Sequence, residues 1–220
     1  MTTAPTQPAN RLDRRKARTR AALIRAAQTL IAEGRTNVPI LEITQAADVG
    51  MGSFYNHFQT KEELFDAAVE AVMDAYGQLL DRVTDKIEDP AEVFATSFRL
   101  TGRLHRREPE LSKVLLNNAL QLLSAPNGLA PRARRDIDAA TKAGRFDVTD
   151  LDVAVTMAAG TLIALGQLLH DQPERDVDET TDRITEDLLR MLGMTRRQAQ
   201  RICSLPLPDL ETAGSSDPAT

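Results

Sequence analysis

The stretch Gly50-Met51-Gly52-Ser53-Phe54-Tyr55-Asn56-His57-Phe58, followed after Gln59 by Thr60-Lys61-Glu62-Glu63-Leu64-Phe65, decides how the rest of the chain is read. It holds four of the eight aromatic residues of a 220-residue protein. Phe54 and Phe58 stand four apart, so on a helix they share one face and can enter a core together. Met51, Gly52, Ser53, Tyr55 and Asn56 are then left outward. Thr60 with Glu63 three residues later is a capping-box pattern. It opens a long helix predicted over about 61–86, with apolar residues from Leu64 to Val83 at helical spacing.

Toward the amino end, Asp48-Val49-Gly50 supplies a tight turn, and Pro39 fits the first position of a short helix running to Ala47. Before that, Leu23, Ile24, Ala27, Leu30 and Ile31 recur at helical spacing, predicting a helix over about 13–33. Its first half is strongly basic: Arg11, Arg14, Arg15, Lys16, Arg18, Arg20 and Arg25 face Asp13 alone. A basic helix followed by two short helices joined by a turn is the layout of a helix-turn-helix DNA reader. The second short helix must enter a major groove about 12 Å wide, so its outward residues should be small, or slender and hydrogen-bonding. Gly52 permits close backbone approach, the Tyr55 hydroxyl can donate to a phosphate, and Asn56 can pair with adenine. Lys61, at the start of the long helix, adds a cation to free backbone amides and suits a phosphate. Arg14 and Arg18 are candidates on the basic helix, and Gly50, Met51, Ser53 and His57 on the turn and second short helix.

The remaining sequence repeats helix signals and offers no strand signal. Helices are predicted from Pro90 to before Pro109, from Pro109 to about Ser124, and over about 131–143, 150–170 and 177–192, with a short one from Thr195. The fold class is therefore all-α: a three-helix head on a larger helical body of about nine to ten helices in all. Its divisions are a flexible arm over 1–12, a head over 13–60, a body over 61–203 and a disordered tail over 204–220. Charge is split between the parts. Residues 1–60 carry eight Lys/Arg against four Asp/Glu, a net of +4, so the rest must carry −9 to reach the formal −5. The composition, 42% hydrophobic and 27% charged, excludes a collagenous or wholly disordered chain. The single cysteine, Cys203, forms no intrachain disulfide and suits a reducing, cytoplasmic location. Val153 to His170 lacks Asp, Glu, Lys and Arg, but its Gly and Thr residues and acidic flanks point to a largely buried helix and not a membrane span. Three scattered histidines give no metal-binding spacing, and no nucleophile or dinucleotide motif occurs, so neither an enzyme, a metal nor a cofactor is expected. His105, among Arg103, Arg106 and Arg107, is expected at the surface.

The segment from Gly50 to Phe58 with Thr60 to Phe65, preceded by Ile43-Thr44-Gln45-Ala46-Ala47-Asp48-Val49, resembles the helix-turn-helix and fourth-helix start of tetracycline-repressor (TetR) family regulators. The resemblance covers about 13–66. It departs at Asp48, where glycine is usual, and at Gly50-Met51, where Ser-Lys is usual, which removes a hydroxyl cap and a cation. What it implies is a homodimeric transcriptional repressor, with Thr44 among the DNA-binding residues. The duplex would be a near-palindromic operator, and a small-molecule effector bound in the body would release it. Family members pair through their last two long helices. Here Met157, Gly160, Ala164 and Leu168 on the eighth helix, with Ile184, Leu188 and Met191 on the ninth, are the implied interface. Polar residues on apolar stripes suggest an effector site from Thr101, Asn117, Asn118 and Thr161, with Phe94, Phe98 and Met157 as apolar wall. The alternative reading is a helical protein-interaction module with a weak or vestigial head.

Overall fold

The structure is a computed structural model that describes residues 11–117, 119 and 128–210. Among the described residues there are ten α-helices and no strand. They are α1 (Arg11–Ala32), α2 (Ile40–Ala46), α3 (Met51–Tyr55), α4 (Lys61–Thr84), α5 (Pro90–Arg107), α6 (Pro109–Asn117), α7 (Leu129–Lys142), α8 (Leu151–Asp171), α9 (Val177–Met191) and α10 (Arg196–Cys203). The chain divides into two compact units between Val69 and Glu70, inside α4.

In the first unit, Leu23, Ala27, Leu30 and Ile31 of α1 are buried together with Ile43, Phe54, Phe58, Leu64 and Ala68. Phe54 and Phe58 lie with ring centroids 6.1 Å apart, and the Arg20 guanidinium sits 5.1 Å from the centroid of Phe58. A cation over a ring face is held by the ring's quadrupole, so a residue of the basic run is fixed on the aromatic core. The turn after α2 shows how Asp48 replaces glycine. Asp48 takes φ 52°, a left-handed backbone. Its N–H donates to Gln45 O at 3.1 Å, and that of Val49 to Thr44 O at 3.0 Å. These two bonds form a Schellman closure, which satisfies the last carbonyls of α2 and offsets the modest cost of an aspartate in that conformation. At α4 the Glu63 N–H donates to Thr60 Oγ1 at 3.1 Å, while the Glu63 carboxylate accepts from the Gln59 N–H at 2.7 Å. The reciprocal cap forms one residue earlier than the usual box.

In the second unit the core draws on Phe94 and Phe98 of α5, Ile137 and Ala140 of α7, Ala154 and Ala158 of α8, Leu188 and Leu189 of α9, and Ile202 and Cys203 of α10. Two charged clasps hold α5. At its start, Asp89 accepts from the Ala91 N–H at 3.0 Å and from both Nε and Nη2 of Arg145, the latter at 2.7 Å. In its middle, Arg99 is 5% exposed and donates to both carboxylate oxygens of Asp182, at 2.8 and 3.2 Å, and to Leu205 O at 2.9 Å. Gly102 lets α5 and α9 approach, because a Cβ there would stand 2.6 Å from Thr181 Cγ2.

Some boundaries differ from expectation. Arg11 and Leu12, read as arm, are already helical. Leu205, read as part of the disordered tail, is held because the buried Arg99 guanidinium requires its carbonyl. Of the sixth helix, predicted to about Ser124, the described part is Pro109–Asn117. Asn118, the segment 120–127 and the ends 1–10 and 211–220 lie outside the described residues.

Candidate functional site: a nucleic-acid face and a two-chambered body

The expected groove-reading side chains collect on one side of the first unit. With Phe54 fully buried, helical geometry turns Met51, Gly52, Tyr55 and Asn56 to solvent, and Tyr55 is 59% exposed. Ser53 is half-buried. Gly50 caps α3 without a side-chain hydrogen bond, and a Cβ at Gly50 or Gly52 would meet nothing within 4 Å. An open groove beside α3 is bordered by Ala47-Asp48-Val49-Gly50 and Ser53 on one side and by Arg15, Arg18, Thr19, Ala22 and Arg25 of α1 on the other. Arg18 thus joins the turn, together with Arg15 and Arg25, which sequence reasoning saw only as part of a basic run. Arg14 is exposed but does not border the groove. Burial, then the charges of Arg20 and Lys16, lowers the pKa of His57. Lys61 donates to Asn37 Oδ1 at 2.8 Å, which fixes the ammonium beside the start of α4. Thr44 is placed differently from the expectation. It is 1% exposed and its hydroxyl donates to Leu41 O at 2.9 Å, because the phase that buries Ile43 turns Thr44 inward too.

In the second unit, a cavity of about 80 Å³ is walled by Phe94, Phe98, Ala158 and Leu162 and closed by Arg132, Asp136 and Asp81. The polar end is a linked set. Arg132 donates to Asp81 at 2.9 Å, Asp74 at 3.0 Å and Gly128 O at 2.7 Å. Arg135 donates to Asp81 at 2.7 Å and Asp136 at 2.9 Å. Burial pushes Asp81 up, but Arg132 and Arg135 outweigh it and hold its carboxyl below the ordinary range. Asp136 goes the other way, since burial raises its pKa and Arg135 only partly offsets that. One wall of flat rings and one end offering both donors and acceptors can orient a small ring that carries hydroxyl groups.

Of the expected effector residues, the structure brings Phe94, Phe98 and Thr101 to this cavity. Met157 and Thr161 lie off it, because Ala158, Ala159 and Leu162 hold the inward phase of α8; the Thr161 hydroxyl donates to Met157 O at 2.7 Å. Asn117 is exposed, and Asn118 lies outside the described residues. Arg132 and Asp136, which close the same cavity, were not among the expected residues. Their signal was in the sequence: Asp136 falls on the stripe Ala133-Asp136-Ile137-Ala140 at helical spacing, a carboxylate where an apolar residue would be expected. His105 is the other correction. It is not a surface residue: burial lowers its pKa, and its ring lies so close to α8 that a Cβ at Gly166 would stand 2.7 Å from its Nδ1.

On α8, Gly160 and Ala164 are exposed and Met157 and Leu168 half-buried. A Cβ at Gly160 would meet nothing within 4 Å. Ile184 is half-buried and Met191 exposed, whereas Leu188 belongs to the core of its own chain and leaves the expected interface set. The helix Leu151–Asp171 is long and apolar enough to cross a membrane, and 28% of its apolar window is buried within the chain.

Comparison with known proteins gives two family matches. Residues 23–68 match "Bacterial regulatory proteins, tetR family", and residues 89–205 match "Tetracyclin repressor-like, C-terminal domain". The HTH-type transcriptional repressor KstR2 of Mycolicibacterium smegmatis is 29% identical over 106 residues, covering 46% of this chain and 48% of that protein. The HTH-type transcriptional regulator TcmR of Streptomyces glaucescens is 29% identical over 167 residues, covering 69% and 74%. This chain thus spans about half the length of KstR2. Crystal structures of RolR are similar at 36% identity. The ligand-free form has a TM-score of 0.74, covering 86% of this chain and 99% of RolR; the complex with resorcinol has 0.69, covering 90% and 98%.

Proposed function

The chain belongs to the TetR family of bacterial regulatory proteins, and from that premise we propose that it is a cytoplasmic, homodimeric transcriptional repressor released from its operator by a small hydroxylated aromatic effector. The observation that carries the DNA-binding part is the solvent-facing set Met51, Gly52, Tyr55 and Asn56, on a helix anchored by Phe54 and Phe58 and bordered by Arg15, Arg18 and Arg25. Small and slender groups on the groove side, with cations at the edges, suit base edges between two phosphate rows. Gly50, Ser53, His57 and Lys61 complete the reading surface, with Arg14 outside it. Paired heads would meet successive major-groove faces about 34 Å apart, so the operator is near-palindromic. Pairing uses the open face of α8 at Gly160 and Ala164, with Met157, Leu168, Ile184 and Met191 around it, and this use supports a soluble protein over a membrane span.

The effector reading rests on the cavity between Phe94, Phe98 and the Arg132–Asp136 end. RolR, which is solved with resorcinol, supports a ring bearing two hydroxyls as its occupant here. One hydroxyl would donate to the Asp136 carboxylate and accept from Arg132, while the ring packs on the phenylalanines. Binding better to the dimer whose heads misfit the operator shifts the population toward it. A coupling of roughly 1 to 3 kcal/mol weakens DNA binding on the order of 5- to 150-fold. The test selects bound duplexes from a random pool, then titrates salt and resorcinol. A palindromic winner, steep loss of affinity with salt and release by resorcinol are expected. Failure to enrich any sequence would favour the protein-interaction module instead.

A further inference from the structure

The body contains a second cavity that the reading above leaves unused. It is about 100 Å³ in volume and is walled mainly by Met73, Leu104, Leu115, Leu116, Leu129 and Ile163. It abuts the Arg132 cavity along Thr101, Leu129, Ala159 and Leu162, which line both. Its polar complement is small. The Thr101 hydroxyl donates to Ser97 O at 2.7 Å and bonds Tyr76, and Glu70 is exposed. That leaves His105. Its Nδ1 shares a hydrogen bond with the Ser112 hydroxyl at 2.7 Å, and the Leu162 backbone reaches the ring from α8. Gly166 makes the placement possible, since any Cβ there would strike the ring.

The walls reward apolar atoms and, among the described residues that line them, offer no lysine or arginine to an anion. A carboxylate placed there would lose its hydration without a counter-charge. We propose that the His105 cavity is the second half of the effector site, and that the effector is two-ended. A hydroxylated ring sits at Arg132 and Asp136, and an uncharged, apolar arm enters the His105 cavity. This rests on the reading of the Arg132 cavity as the ring site. Leu162 and Thr101, common to both chambers, then sort ligands by whether an arm is present and where it leaves the ring.

The test is calorimetric titration of the full-length protein with resorcinol, with ethyl- and hexylresorcinol substituted beside one hydroxyl, with a hydroxypentyl counterpart, and with one whose arm ends in a carboxylate. Affinity should rise about fourfold per added methylene, the equivalent of roughly 0.8 kcal/mol each, until the chamber is filled. The hydroxypentyl arm should bind less tightly than hexyl, and the carboxylate arm should lose the gain. Ile163→Trp fills only the second chamber, so it should abolish the benefit of the arm and leave resorcinol itself within twofold. Leu116→Phe serves the same purpose should the tryptophan variant not fold. Resorcinol binding with no advantage for any arm, or an advantage that survives both filling variants, overturns the proposal. If folded protein binds none of the five compounds, the ring-site reading falls and the two-ended effector with it.

Discussion

Replacing Gly52 by leucine separates folding from DNA reading. Gly52 lies in α3 and does not have a positive φ, so an L side chain fits its backbone. A Cβ there would meet nothing within 4 Å, so the free protein receives leucine without a clash. Leucine is a better helix former than glycine by about 0.8 kcal/mol in a helix interior, and less than that so near the start of α3. The melting temperature should hold or rise slightly. In the complex the added side chain would occupy the space through which α3 approaches the base edges. A lost base contact costs about 1–3 kcal/mol, and a symmetric dimer suffers it at both half-sites. At least about a 30-fold rise in Kd follows, since roughly 2 kcal/mol is the smallest sum of two such losses. Phosphate contacts from α1 and α4 are untouched, so the slope of log Kd against log salt should stay the same. Fluorescence anisotropy on the selected operator across a salt series, alongside thermal melts, measures all three quantities. An unchanged Kd in a folded variant would refute the placement of α3 in the groove. A steep fall in melting temperature would refute the claim that the site is open.

Three further outcomes follow from the packing. Asp182→Asn leaves the Arg99 guanidinium, 5% exposed, without its counter-charge; urea unfolding should show a loss of about 3 kcal/mol, and a loss below about 1 kcal/mol would show that Leu205 O alone suffices. Gly160→Trp projects into open space in the single chain, so the fold should survive while sedimentation equilibrium shifts from dimer to monomer; a variant that stays dimeric places the interface elsewhere. Burial pushes Asp89 up, but bonds from Arg145 and the Ala91 amide outweigh it and hold its carboxyl below the ordinary range. A carboxylate lowered in the folded state stabilises fully above its unfolded pKa near 4 and stops doing so as pH falls through the folded value. Arg145→Gln should therefore raise the pH at which acid unfolds the protein, and coincident acid transitions would show that the clasp carries no linkage.

Much of the head was legible because its signals are local. The four-residue spacing of Phe54 and Phe58 and the Thr60-Glu63 cap each act within one or two turns, and each reappears within a residue of its expected place. Asp48 stands where glycine is usual, and the structure shows how its left-handed backbone is supported, by two backbone bonds that the sequence implied only through the turn itself. Thr44 was harder. Its neighbour Ile43 signals the buried face, but whether the next residue is also covered depends on how closely the rest of the head packs around α2.

The sequence by itself determined that this is a helical protein with a basic, aromatic-centred reading head on an acidic body, because period, capping and charge are properties of neighbouring residues. Only the tertiary structure decided where a small molecule could lie. Arg132 and Asp136 meet Asp81 from 51 and 55 positions away, and Phe94 and Phe98 close the same cavity from another helix. His105 passed for a surface residue beside three arginines until Gly166, 61 positions later, was found to admit its ring against α8. A cavity is made by which faces of distant helices come together, and no spacing along one helix records its partner.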